Sequence, residues 1–70
     1  MIAAAETAQR DLSPREWQVL QRMLECKQNK EIAGELCIAT KTVKFHAANI
    51  YKKVGVTNRT ELIARFAFGR

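Results

Sequence analysis

The sequence is poor in the residues that would indicate a disulfide scaffold, a metal site or a disordered chain. It has two cysteines, Cys26 and Cys37, one histidine, one proline and three glycines. Two cysteines are too few for a disulfide framework, and together with His46 they match no zinc-ligand spacing. The low proline and glycine content argues against disorder. We therefore expect a folded chain that binds no metal and no cofactor.

Long apolar runs are also missing. No segment approaches the roughly 18 consecutive apolar residues that a membrane-spanning helix needs. The apolar stretch from Met1 to Ala5 is much shorter than the core of a secretory signal, and no basic residue precedes it. We expect a cytoplasmic protein that does not enter a membrane.

The length and the charge of the chain limit its function. Seventy residues make one small domain, and a domain of this size buries only roughly 60% of its unfolded surface. Twelve Lys and Arg residues against seven Asp and Glu residues give a formal net charge of +5, which suits either a nucleic acid or an acidic lipid surface. The sequence shows no converging base, nucleophile and oxyanion site, so we do not expect an enzyme.

The spacing of apolar residues and of helix-end residues predicts four helices and no strand. Ser13, Pro14 and Glu16 are typical of a helix start with a capping box. Gly55 suits the end of the third helix because glycine readily adopts a positive φ. The predicted helices cover about residues 14–26, 29–36, 40–54 and 58–68. We expect an all-α four-helix bundle over residues 12–70, preceded by a tail or linker over residues 1–11.

The third predicted helix has two faces of opposite character. Its apolar face carries Val43, Ala47, Ile50 and Val54 at helical spacing. The opposite face carries Lys41, Phe45, Ala48 and Lys52, with Lys44 beside them. A basic exposed face above an apolar seam suits a helix that lies in a DNA major groove. It also suits an ordinary amphipathic helix whose lysines are solvated.

The fourth predicted helix is apolar over most of its circumference. Asn58 and Glu61 have the spacing of a second capping box at its start. Its apolar residues are Leu62, Ile63, Ala64, Phe66, Ala67 and Phe68. This surface is wider than a small core needs, so the helix is either unusually buried or in contact with another chain.

The order and spacing of several fragments resemble the LuxR-type helix-turn-helix domain. The resemblance covers about Leu12 to Phe68. It depends on Leu12-Ser13-Pro14-Arg15-Glu16, Val19-Leu20, Asn29-Lys30-Glu31-Ile32-Ala33, Thr42-Val43-Lys44-Phe45-His46, Asn49-Ile50 and Lys53-Val54-Gly55-Val56, with Arg59. It implies that the second and third helices form the helix-turn-helix, that the third enters the major groove of operator DNA, and that the fourth pairs two domains.

The resemblance also implies roles for individual residues. The positions that face base edges are Lys44, Phe45 and Ala48. Candidate phosphate contacts are Lys30, Thr40, Lys41, Thr42, Asn49 and Lys52. The candidate dimer interface is Leu62, Ile63, Phe66 and Ala67. A lysine donates to guanine, and an exposed aromatic ring suits thymine methyl groups. The alternative for Phe45 is a core aromatic on a helix whose rotation we have misjudged.

The sequence departs from the LuxR pattern at several helix ends. Cys26 replaces a usual Gly, Gln28 and Ala39 replace usual Ser or Thr caps, and Arg22 stands at a commonly apolar position. Loss of such a cap costs roughly 0.5–2 kcal/mol unless a neighbour replaces it. Thr40 is a candidate replacement cap for the third helix.

Five charged or polar side chains receive a structural interpretation. We expect Lys27 and Lys53 to be solvated surface charges and His46 to have a packed or capping role. Glu31 and Glu35 are placed to pair with a neighbouring Arg or Lys.

The sequence thus predicts the sequence-specific DNA-binding domain of a bacterial transcriptional regulator, acting as a homodimer on double-stranded DNA. The alternative is a helical protein-interaction module that contacts another regulator or RNA polymerase. The two differ in salt dependence, because only DNA binding falls steeply in affinity as salt rises.

Overall fold

A computed structural model describes residues 12–68 of the chain. It contains four helices, which we name α1 (Pro14–Leu24), α2 (Asn29–Leu36), α3 (Thr40–Val54) and α4 (Arg59–Phe68). The described range contains no strand, and the predicted all-α four-helix fold is confirmed. The predicted tail over residues 1–11 lies outside the described residues. None of the described helices is both long and apolar enough to cross a membrane.

One hydrophobic core joins the four helices, and α3 packs against each of the other three. The side chains with no exposed surface are Val19, Leu20, Met23, Ile32, Val43, Ile50 and Leu62. Burying an aliphatic side chain of this size contributes roughly 1.5–3 kcal/mol. The packing of α3 at the centre fixes which of its faces points outward.

The predicted capping box at the start of α1 is present, but the helix ends earlier than predicted. The Ser13 backbone N–H donates to Glu16 Oε1 at 3.0 Å, and the Glu16 N–H donates to Ser13 Oγ at 3.2 Å. The helix ends at Leu24, not near Cys26 or Lys27. Cys26 has a φ of 64°, so the chain has already left the helix at this residue. It adopts the left-handed conformation that glycine favours, at a cost of roughly 1–2 kcal/mol for a residue with a Cβ.

The two unusual caps have different outcomes. The Gln28 backbone N–H donates to Glu31 Oε1 at 2.8 Å, so Glu31 supports the start of α2. Ala39 is the N-cap of α3 and offers no side-chain acceptor. Thr40 is the first helical residue, so the suggested shift of the cap to Thr40 is wrong. The first turn of α3 therefore presents backbone N–H groups without a side-chain cap.

The ends of α3 and α4 are close to those predicted. Gly55 has a φ of 88° and its N–H donates to the Tyr51 carbonyl at 2.8 Å, as expected of a glycine that ends a helix. Asn58 Oδ1 accepts from the Glu61 N–H at 2.9 Å, but the Glu61 carboxylate accepts from the Thr57 N–H at 2.7 Å. One half of the second predicted box is therefore present, the return bond from Glu61 goes to Thr57 instead of Asn58, and α4 begins at Arg59.

Candidate nucleic-acid interface

The two predicted faces of α3 are separated by burial. Val43 and Ile50 have no exposed surface and Ala47 has 6%. The side chains exposed on the opposite side are Lys41, Lys44, Phe45, Ala48 and Lys52. Phe45 is 64% exposed, which excludes its alternative interpretation as a core aromatic. The face that we call the basic face consists of these five exposed residues.

The remaining candidate phosphate contacts lie at or near the same surface. Thr40 is exposed in the first turn of α3, while Thr42 and Asn49 are half-buried on that helix. Lys30 is exposed in the first turn of α2, which packs against α3. Within residues 12–68, none of Lys30, Lys41, Lys44 and Lys52 forms an ion pair. Their charges are therefore not neutralised by the described part of the chain.

Lys53 differs from its neighbour Lys52. Its Nζ lies 2.7 Å from Glu16 Oε1, and Glu16 is only 6% exposed. Lys53 is exposed, as expected of a surface charge, but its charge is paired with Glu16. This pair links the start of α1 to the last turn of α3, and the same carboxylate accepts from the Ser13 N–H. It restrains the end of the helix that carries the basic face.

A second ion-pair network links α1 to α2. Arg22 Nε lies 2.9 Å from Glu35 Oε1, and Lys27 Nζ lies 2.5 Å from Glu35 Oε2. The expected pairing of Glu35 is confirmed, whereas Glu31 forms no ion pair within residues 12–68. Lys27 is half-buried and paired, so its interpretation as a solvated charge is wrong. Arg22 also donates to the Gln18 carbonyl at 3.1 Å. An arginine at this commonly apolar position is therefore satisfied by a carboxylate on the neighbouring helix.

The Glu16 pair makes the fold sensitive to acid. Burial alone would raise the pKa of Glu16, but the bonds from Lys53 and Ser13 outweigh it and hold the pKa below its ordinary value of 4.5. A lowered pKa means that the stabilisation is present above the ordinary value and is lost as the pH falls through the folded-state value. Glu35 and Glu61 also have lowered pKa values, caused first by their bonds from Lys27 and Thr57.

We expect Glu16→Gln to make the chain less stable at neutral pH and to flatten its loss of stability in acid. The amide keeps the shape of the carboxylate but leaves Lys53 without a counter-charge. Thermal unfolding followed by circular dichroism from about pH 7 to about pH 3 measures both effects. The matched control is Glu25→Gln, at an exposed site whose ion pair with Lys27 is longer, at 3.5 Å, and this variant should keep the steep acid loss. Equal pH profiles for wild type and Glu16→Gln would contradict the assignment.

Arg59 has a structural function that sequence reasoning missed. Its Nη2 donates to the Met23 carbonyl at 3.3 Å and also to the Lys27 carbonyl. Met23 lies in the last turn of α1, and Lys27 lies in the segment that follows this helix. Arg59 therefore joins the start of α4 to the end of α1. The only signal for it in the sequence was its place in the LuxR-like pattern.

The apolar surface of α4 is divided between the core and a groove. Leu62 has no exposed surface and belongs to the core. Its assignment to a dimer interface is therefore wrong, because no second chain can reach it. Leu24, Ile63, Phe66 and Ala67 line a groove of about 200 Å³. Ile63 and Phe66 are half-buried and Ala67 is exposed.

His46 lies half-buried beside the basic face. Its ring centre is 6.0 Å from that of Phe45, with the two planes at 59°. Its Nδ1 is buried and makes no hydrogen bond to any described residue. This position agrees with the expected packed role and gives no sign of a capping role.

Comparisons with known proteins agree with this geometry. The family model described as bacterial regulatory proteins, luxR family, matches residues 10–66. The HTH-type transcriptional regulator MalT of Serratia proteamaculans (strain 568) is 46% identical over 52 residues, which are 74% of this chain and 6% of that protein. The chain thus spans a small part of the length of this curated relative. No solved structure matches the chain. The resemblance seen in the sequence is confirmed: the chain belongs to the luxR family of bacterial regulatory proteins and carries its helix-turn-helix DNA-binding domain.

Proposed function

We propose that this chain binds operator DNA sequence-specifically by placing α3 in the major groove. The observation that supports this most strongly is the basic face, whose lysines are exposed and unpaired within residues 12–68 while the opposite side of α3 is buried. A major groove is wide enough for one helix, and its base edges lie within reach of side chains that project from it. The domain is then the DNA-binding part of a transcriptional regulator.

Three side chains of the basic face would meet base edges. Lys44 donates to O6 or N7 of guanine, the commonest base-specific contact of a basic side chain. Phe45 offers an apolar surface, and Ala48 is small enough to allow close approach. These positions supply specificity, whereas phosphate contacts fix the position of the protein on the duplex.

The phosphate contacts would gather at the start of α3 and along its edges. The N-terminus of a helix attracts anions through its free N–H groups and its dipole. In α3 no side chain caps these groups. The residues proposed to contact phosphates are Lys30, Thr40, Lys41, Thr42, Asn49 and Lys52.

We expect Lys44→Ala and Lys52→Ala to weaken DNA binding in different ways. Loss of Lys44 should cost about 1–3 kcal/mol on a selected site and relax specificity at one base pair, because it removes a base contact. Loss of Lys52 should weaken binding to all duplexes alike. It should also lower the slope of log affinity against log salt concentration by about one. Both are measured by gel shift on a duplex selected from random sequence and on an unrelated duplex.

A third variant, Lys30→Ala, removes a charge from the edge of the surface and should resemble Lys52→Ala. Unchanged binding of both Lys44→Ala and Lys52→Ala at low salt would contradict the assignment of the basic face.

The groove on α4 supports pairing of two domains on DNA. Ile63, Phe66 and Ala67, with Leu24 of α1, leave an apolar surface that the chain does not cover itself within residues 12–68. A two-fold pair would bury it and place two α3 helices on half-sites about one helical turn apart. The proposed interface retains these residues and excludes Leu62.

We expect Ala67→Lys to abolish pairing without unfolding the domain. Ala67 is exposed and lines the groove, so a lysine there puts a charge into the interface. Binding to a duplex with two half-sites should weaken on the order of a hundredfold, as expected when a second linked contact is lost. Ala64→Lys is the matched control, since Ala64 is exposed on α4 but does not line the groove. Equal behaviour of the two variants in gel shift and sedimentation would contradict this interface.

The apolar groove also favours a second candidate function. In this alternative the chain is a helical interaction module that contacts another regulator or RNA polymerase, and α4 is the docking helix. RNA polymerase is a proposed partner under both candidate functions. Under the first, the chain would contact it while bound to operator DNA.

We also propose a cytoplasmic location, because bacterial DNA lies there.

A further inference from the structure

Phe45 is exposed in a way that the fold does not explain. Among the residues whose side-chain burial the structure describes, it is the one large hydrophobic side chain that is exposed, at 64%. The other large apolar side chains of that set are buried or half-buried. A single exposed apolar residue is common on protein surfaces. This ring, however, lies on the basic face among lysines, where the proposed function places the base edges of DNA within its reach.

The neighbours of Phe45 shape a small apolar site within a basic surface. Ala48 lies three residues later, on the same side of α3, and its short side chain leaves space beside the ring. The His46 ring lies 6.0 Å away, tilted by 59°, and is half-buried. A half-buried neighbour limits the directions in which the phenyl ring can turn. Lys44 and Lys41 place positive charge around this site.

Base edges in the major groove present one kind of apolar group. That group is the methyl on C5 of thymine, while the other groups of the four bases are donors and acceptors. Methylated cytosine carries the same group at the same ring position. We infer that Phe45, with Ala48, reads the 5-methyl group of a pyrimidine, and that DNA binding therefore responds to cytosine methylation as well as to thymine. This inference rests on the proposed DNA-binding function.

The decisive comparison changes one methyl group and nothing else. The full chain is first used to select a duplex from random sequence, and each thymine of that duplex is then replaced singly by uracil, which pairs identically but lacks the methyl group. At one or two positions per half-site we expect wild-type affinity to fall about fourfold, the effect of exposing one carbon group. Phe45→Ala should bind thymine and uracil duplexes equally. Lys44→Ala, the control, should bind more weakly and keep the preference for thymine.

The second arm tests cytosine methylation. The sensitive thymine–adenine pair is replaced by cytosine–guanine, and the cytosine is used with and without its 5-methyl group. Wild type should gain about fourfold on methylation, and Phe45→Ala should gain nothing. If the thymine-to-uracil replacements change the affinity and cytosine methylation does not, the contact of Phe45 with a methyl group is supported and thymine is the base that it reads.

Two results overturn the inference and are distinguishable. If wild type selects and binds a duplex but neither uracil nor methylcytosine changes its affinity, the reading of methyl groups by Phe45 is wrong and the proposed DNA binding stands. If wild type selects no duplex at all, the proposed function fails and this inference fails with it. Thermal unfolding of Phe45→Ala, which should match that of wild type, excludes misfolding as a cause.

Discussion

Replacement of Ile50 by alanine is expected to lower the free energy of unfolding by about 2–5 kcal/mol, the usual cost of truncating a fully buried aliphatic side chain. Ile50 has no exposed surface and lies on the inner face of α3, which packs against the other three helices. A chain of this length has a total stability of only about 4–10 kcal/mol. The variant should therefore lose about half of its stability, and its unfolding midpoint in urea should fall accordingly.

The matched control is Phe45→Ala, which removes a large apolar side chain from the outer face of the same helix. Because Phe45 is 64% exposed, its stability in urea should change by less than about 0.5 kcal/mol, while its DNA binding weakens. Urea unfolding and gel shift together separate the two faces. A large stability loss in Phe45→Ala, or none in Ile50→Ala, would mean that α3 is rotated differently from the orientation described.

DNA affinity is expected to fall about a thousandfold or more as salt rises from roughly 50 to 200 mM, if two paired domains make about 6–10 phosphate contacts. The physical cause is the release of counterions when lysines replace them at the phosphates. The lysines proposed for this, Lys30, Lys41 and Lys52, have no ion-pair partner in the part of the chain that the structure describes. Fluorescence anisotropy with a labelled duplex measures the slope of log affinity against log salt concentration.

The salt experiment also separates the two candidate functions. If the chain is an interaction module whose α4 groove binds a protein, its affinity for DNA should not fall steeply as salt rises. Lys53→Ala is a useful control, because Lys53 is paired with Glu16. This substitution should reduce stability and leave the slope nearly unchanged. A flat dependence of affinity on salt would favour the interaction module.

The sequence predicted the architecture well because local and tertiary signals agreed. Ser13 and Glu16 formed the predicted capping box, Gly55 ended α3, and the apolar spacing of Val43 and Ile50 identified the buried face. Each of these signals lies within a few residues of the feature it predicts. Helix periodicity was therefore sufficient to predict which face of α3 points outward.

The helix ends were less predictable because a residue can adopt a conformation that its type disfavours. Cys26 and Cys37 both have positive φ values, 64° and 56°, although neither is glycine. At Cys37 the Ile38 N–H donates to the Ala33 carbonyl at 3.0 Å, which closes α2. At Cys26 the resemblance gave a signal, because glycine is usual at that position, whereas nothing in the neighbouring residues signals the positive φ of Cys37.

Contacts between distant residues were missed for a similar reason. Lys53 and Glu16 are 37 residues apart and Arg59 and Met23 are 36 apart, so neither pair has a local signature. Leu62 also lacked a local signal, because the composition of α4 did not show whether this residue lies in the core or on the apolar surface of the helix. Burial separated Leu62 from Ile63 and Ala67.

The central claim is that the outer face of α3 contacts DNA, and two adjacent alanines test it most directly. Ala48 is exposed on the basic face, whereas Ala47 is 6% exposed on the inner face. In the complex of the isotope-labelled chain with its selected duplex, we predict intermolecular nuclear Overhauser contacts from DNA to the Ala48 methyl group and the Phe45 ring, and none to the Ala47 methyl group. Contacts from DNA to Ile63 and Ala67 on α4, with none to Ala48 or Phe45, would contradict the account.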